Sequence, residues 1–163
     1  MPKASNVEQV KVEVAKLASD ARSAQELMSR MVKLLHERML KYNWVGFYML
    51  EQGPPPEPPM LVLGSFEGAM TPHTRIALHQ GICGAAASSG KTIVVDDVSK
   101  DPRYLACSQE TKSEIAVPIF ARGKLKGELD IDSHFPAAFG VVDRELVEYC
   151  ASLVGEQLAR NTR

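Results

Sequence analysis

The chain has 163 residues, 45% of them hydrophobic and 24% charged, with 19 lysines and arginines against 20 aspartates and glutamates. A chain of this length buries roughly 70% of the surface its unfolded form exposes, so neither a disulfide framework nor a metal is needed to supply a core. The balanced charge argues against nucleic-acid or polybasic membrane binding, and no apolar run approaches the roughly 20 residues of a bilayer-spanning helix. The N-terminus also lacks the apolar stretch of a secretory signal, which predicts a cytoplasmic protein. Cys83, Cys107 and Cys150 are odd in number and widely spaced, unlike a secreted disulfide framework or a C-x-x-C zinc site, so free thiols are expected.

Residues 6–41 carry apolar positions at helical spacing: Val10, Val14 and Leu17, then Leu27, Met31, Leu34 and Leu35. Ser23 followed by Glu26 has the form of a capping box, which predicts two helices with a break near Asp20 to Arg22. Aromatic and β-branched residues from Asn43 to Glu51 predict a strand, and a second runs from Met60 to Phe66. The proline-rich segment between them reads as a stiff exposed loop without a function. Gly81 to Gly90 is rich in small residues and suits a short helix bounded by glycines, followed by a strand at Thr92 to Val95. Neither G-x-G-x-x-G nor G-x-x-x-x-G-K-[ST] is present, so the common phosphate-binding loops are not supported. Asp96 to Tyr104 reads as a loop or helical turn. Strands at 113–121 and 125–132 flank a reversal at Arg122-Gly123-Lys124. Asp143 is placed to cap a last helix striped by Leu146, Val147, Cys150, Leu153, Val154 and Leu158.

Side chains two apart on a strand share a face, so Trp44 and Tyr48 point together while Val45, Phe47 and Met49 point oppositely. The same arithmetic groups Glu128, Asp130 and Asp132, alternating with the apolar or small Leu125, Gly127, Leu129 and Ile131. One sheet face is therefore apolar and the other carries acids. A solvated sheet face decorated with charge accounts for such a pattern. Like charges spaced along one strand face with no basic residue between them nonetheless cost energy that a cationic ligand group would offset.

Several segments together resemble the free methionine-R-sulfoxide reductases, which are single GAF domains. These are Asn43-Trp44-Val45-Gly46-Phe47-Tyr48, Gly81-Ile82-Cys83-Gly84, Cys107 followed by Ser113-Glu114-Ile115, and Leu129-Asp130-Ile131-Asp132-Ser133. The resemblance covers about residues 25–160. It implies an α+β GAF fold, with a central antiparallel sheet, N- and C-terminal helices on one face and a ligand pocket on the other. Residues 1–22 would form an N-terminal helical segment and 23–163 the GAF domain. The implied activity is reduction of free methionine-R-sulfoxide without a bound cofactor. In it Cys107 attacks the sulfoxide sulfur and becomes a sulfenic acid, which a second cysteine resolves before thioredoxin or another thiol reduces the disulfide. Glu114, Asp130 and Asp132 would surround the substrate, and Trp44 and Tyr48 its S-methyl end. Carboxylates that need a cation favour a free α-ammonium group over a peptide-bound methionine. Pairing of two copies through their terminal helices is a further expectation of the family.

The sequence departs from that pattern at one functional position. The family usually carries a cysteine ten residues before the one in G-[VI]-C-G, where this chain has His73, and Ala77 and His79 replace a proline and a glycine nearby. The reading adopted is that Cys107 is nucleophilic and Cys83 the resolving thiol; direct reduction by an external thiol and a pocket without turnover are the alternatives. Taken alone, Cys83 in a small apolar helix reads as a packing cysteine, Cys150 as core, and Trp44 and Tyr48 as sheet packing. His36, His73, His79 and His134 show no metal-ligand spacing, so no metal is assigned. A catalytically silent small-molecule-binding module and a cysteine-based redox sensor are the competing functions.

Overall fold

A computed structural model describes residues 2–104 and 110–161 of the chain. The first helix, α1, spans Pro2–Asp20 and the second, α2, Ala24–Arg38. The break between them is built by Ser23, whose backbone is extended and whose hydroxyl accepts the Glu26 N–H at 3.1 Å. The Glu26 carboxylate reaches back to the Arg22 N–H at 3.2 Å, so the expected cap is present with its return bond shifted by one residue. Leu27, Met31 and Leu35, spaced by a helical turn, are fully buried.

Strands follow at β1 (Trp44–Glu51), β2 (Met60–Glu67) and β3 (Arg75–Ala77). Next come the short helix α3 (Gly81–Ser89), β4 (Ile93–Val95) and a 3-10 turn at Val98–Lys100. The chain closes with β5 (Ser113–Ala121), β6 (Lys124–Ser133) and α4 (Val141–Asn161). The strands form one sheet in the order β3-β2-β1-β6-β5-β4, with antiparallel pairing throughout. The reversal between β5 and β6 is the two-residue loop Arg122-Gly123, and both residues have positive φ, as the hairpin turn matching strand twist requires. The sequence did not reveal β3, a three-residue edge strand paired to β2.

The two faces of the sheet are buried against different partners. On one, Val45, Phe47, Ile115, Val117, Ile119, Leu129 and Ile131 meet the apolar stripes of α1, α2 and α4 in one continuous core. Cys150 lies in that core with no exposure, as its place on the α4 stripe predicted. Asp143 is not the α4 cap: the helix starts at Val141, and the carboxylate in its first turn reaches back to the Gly140 N–H at 3.1 Å and accepts the Tyr42 hydroxyl at 2.6 Å. No helix among the described residues is long and apolar enough to cross a membrane.

Where α4 crosses β5, a Cβ on Gly155 would stand 2.2 Å from the Phe120 carbonyl oxygen. Neither backbone can yield cheaply there. Gly155→Ala is therefore expected to destabilise the fold by about 1–3 kcal/mol through overpacking, read as a lower urea midpoint at unchanged slope.

Candidate functional site

On the opposite face, β6 presents Glu128, Asp130 and Asp132. Register sets their neighbours: Tyr48, Gly46 and Trp44 lie opposite them on β1, and Pro118, Ala116 and Glu114 on β5. Central-strand position and the cover of α3 bury them all. Glu114, Glu128, Asp130 and Asp132 retain 5%, 0%, 2% and 4% of their surface. The solvated charged face considered from sequence is thus excluded.

Both carboxylate oxygens of Glu128 and one each of Asp130 and Asp132 have no hydrogen-bond partner among the described residues. Glu114 lies opposite Asp132 across the β5–β6 pairing, and hydrogen bonding to Glu114 offsets part of the rise at both Asp130 and Asp132; carboxyl groups bond in this way only when a proton is shared between them. Burial and then the charge of Asp130 push Glu128 and Asp132 well above the ordinary carboxylate range. Burial raises Asp130 to about 6, the smaller rise reflecting its hydrogen bonds to Glu114 and Cys83. Such a group cannot be fully ionised without an added cation.

Cys83, in the first turn of α3, places its sulfur 3.9 Å from Glu114 Oε2 and is 5% exposed. Burial, followed by the neighbouring Asp130, Glu128 and Glu114 charges, keeps its thiol protonated well above its usual value. The residue packs as a buried cysteine should, yet its sulfur borders the acids rather than the apolar core alone. A cavity of about 10 Å³ lies between Cys83, Glu114, Asp130 and Tyr48. A second, of about 70 Å³, lies by Asn43, Trp44, Thr71, Thr111, Asp132 and His134. The larger open groove of about 490 Å³ beside Lys91, Phe120 and Arg144 is lined by none of these acids.

The aromatic wall is held from both ends. Trp44 and Tyr48 stack with centroids 6.1 Å apart, and Phe66 backs Trp44 at 5.7 Å. The Trp44 indole N–H donates to the Ala69 carbonyl at 3.0 Å, and the Tyr48 hydroxyl to the His73 carbonyl at 2.7 Å, which ties the 69–73 segment over the sheet. Gly46 allows the indole to lie across β1, since a Cβ there would meet the ring at 2.3 Å. His73, which stands where the family usually has a cysteine, contributes its backbone to this tie.

Of the residues singled out from sequence, Trp44, Tyr48, Cys83, Glu114, Asp130 and Asp132 converge on this one region. Cys107 lies outside the described residues. Sequence reasoning placed Glu128 on the acidic face but did not assign it to the site. The signal was there: it alternates in phase with Asp130 and Asp132, with only the apolar Leu129 and Ile131 between them.

A family model of the GAF domain matches residues 23–158. Free methionine-R-sulfoxide reductase of Saccharomyces cerevisiae is 42% identical over 115 residues, 70% of this chain and 62% of that protein, so the match spans less than two thirds of the relative. Among solved structures, the type II free methionine-R-sulfoxide reductase from Thermoplasma acidophilum is 37% identical with a TM-score of 0.77, covering 84% of this chain and 93% of that one. The free methionine-R-sulfoxide reductase from Neisseria meningitidis, solved in complex with its substrate, is 31% identical with a TM-score of 0.86, covering 94% and 90%. Sequence and fold agree across nearly the whole domain, and the chain belongs to the GAF domain family and, within it, to the free methionine-R-sulfoxide reductases.

Proposed function

We propose that this protein reduces free methionine-R-sulfoxide to methionine. The observation that carries the reading is a buried group of carboxyls with no cationic partner on Glu128, Asp130 or Asp132 among the described residues, beside an anchored aromatic wall. An α-ammonium group supplies the missing charge, and a peptide-bound methionine has none to offer. The S-methyl end suits Trp44 and Tyr48, where soft sulfur and methyl meet aromatic surface.

In this reading the Cys107 thiolate attacks the sulfoxide sulfur. Oxygen passes to the cysteine with the protons the site supplies, giving a Cys107 sulfenic acid and free methionine. A carboxyl held neutral at physiological pH is a suitable donor to the sulfoxide oxygen, and raised values at Glu128, Asp130 and Asp132 support that role. Cys83 then attacks the sulfenic sulfur, water leaves, and the disulfide is returned to thiols by thioredoxin or another dithiol.

The test supplies separated R and S diastereomers of free methionine sulfoxide, and an N-acetylated amide of the R form, with dithiothreitol or with thioredoxin, its reductase and NADPH. Methionine is the product measured. Turnover confined to the free R form is expected. Equal turnover of the blocked substrate would reject charge recognition by the acids, and absence of product with both reductants would reject the enzyme reading in favour of a binding module.

A further inference from the structure

The acidic pocket has a second property that recognition of an amino acid does not require: a sulfur ligand is built into it. One ligand atom each from Cys83, Glu114 and Asp130 lies within 4.8 Å of the others, and all three residues are buried. Tetrahedral zinc, with bonds of about 2.0–2.3 Å, holds its ligand atoms roughly 3.3–3.8 Å apart. Cys83 Sγ and Glu114 Oε2, at 3.9 Å, are already close to that spacing. The cavity between them, about 10 Å³, matches one water-sized or ion-sized occupant.

Asp130 adds a further indication. It lines that cavity, keeps only 2% of its surface, and its Oδ1 has no hydrogen-bond partner among the described residues. A buried carboxylate oxygen left unpartnered is costly, and a metal ion in the cavity would satisfy it. The donor set selects among cations. Calcium and magnesium demand six or more oxygen ligands, whereas one thiolate with carboxylates in a small dry site suits zinc.

We propose that the pocket binds one Zn²⁺ through Cys83, Glu114 and Asp130, with the fourth position left to water. Because an α-ammonium group would need the same carboxylates, the ion and free methionine sulfoxide exclude each other; that consequence rests on the substrate reading above. Zinc would then be an inhibitor of the resting reduced protein, acting by occupancy rather than by chemistry.

The experiment titrates the reduced, chelator-treated full chain with Zn²⁺ by calorimetry and with Co²⁺ by absorption. Cobalt reports sulfur ligation through a thiolate charge-transfer band and tetrahedral geometry through its d–d bands. One ion per chain is expected, with the charge-transfer band lost in Cys83→Ser and kept in Cys107→Ser. Asp130→Asn should weaken binding by at least about tenfold. If circular dichroism finds Cys83→Ser unfolded, Glu114→Gln serves instead, with weaker binding and the sulfur band retained.

No stoichiometric binding, or a band that follows Cys107 and ignores Cys83, overturns the proposal. Free methionine sulfoxide should raise the apparent zinc dissociation constant. Zinc binding with no such competition leaves the cation site standing and removes the exclusion. Sulfoxide reduction by a chain that binds no zinc removes the cation site and leaves the enzyme reading intact.

Discussion

Cys107→Ser is expected to abolish methionine formation from free methionine-R-sulfoxide, a fall on the order of 10³-fold or more, while circular dichroism and the urea midpoint stay at wild-type values. A serine hydroxyl is not ionised at neutral pH and has no counterpart of the sulfenic acid, so the oxygen has no acceptor. The other thiols do not replace it. Cys150 is sealed in the helix-side core, where burial pushes it up to about 12. Cys83 is kept protonated by burial and by the surrounding Asp130, Glu128 and Glu114. That state suits a resolving thiol, which becomes nucleophilic only as it loses a proton, and Glu114 Oε2 stands 3.9 Å away as an acceptor. Cys83→Ser should therefore keep single-turnover methionine formation and lose thioredoxin-dependent cycling. Undiminished product from Cys107→Ser would remove Cys107 from the mechanism, and undiminished cycling in Cys83→Ser would remove Cys83 from resolution.

The face assignments behind this chemistry were legible because strand alternation has a period of two and admits no drift. Val45 and Phe47 go to the helices, while Trp44, Tyr48, Asp130 and Asp132 go to the pocket. The terminal helices were legible for the same kind of reason, from Leu27, Met31 and Leu35 on one stripe and Leu146, Val147, Cys150 and Val154 on another. Pairing order was not. That β1 lies between β2 and the distant β6 depends on contacts across some eighty residues of chain, which no local pattern encodes. The edge strand β3 was missed because Arg75–Ala77 is too short to show alternation, and its pairing to β2 supplies the order instead. Burial of the acids was the largest difference from a bottom-up reading. A strand bearing Glu128, Asp130 and Asp132 looks half-solvated until α3 is packed over it, and only three-dimensional cover makes Glu128 a member of the site.

That cover predicts how stability varies with pH. In the unfolded chain Glu128 ionises near its ordinary value of 4.5, whereas in the fold burial keeps it protonated well above that value. The folded state therefore holds a proton that the unfolded state has released. Stability from this group is fully present below the unfolded value and is lost as pH rises toward the folded one, by roughly 1.4 kcal/mol per pH unit. Asp130 adds a loss of the same sign between its ordinary 3.8 and about 6. Glutamine reproduces the neutral carboxyl in shape and cannot ionise in either state. Glu128→Gln should thus match the wild type near pH 4 and become progressively more stable than it as pH rises toward neutrality, measured as the difference in urea unfolding free energy. The same carboxyls that weaken the empty fold with rising pH are those a cationic ligand stabilises, so added free methionine sulfoxide should narrow the neutral-pH gap by stabilising the wild type. A Glu128→Gln curve parallel to the wild type at all pH values would mean that Glu128 ionises equally in both states, which a carboxyl at zero exposure with neither oxygen partnered among the described residues does not do.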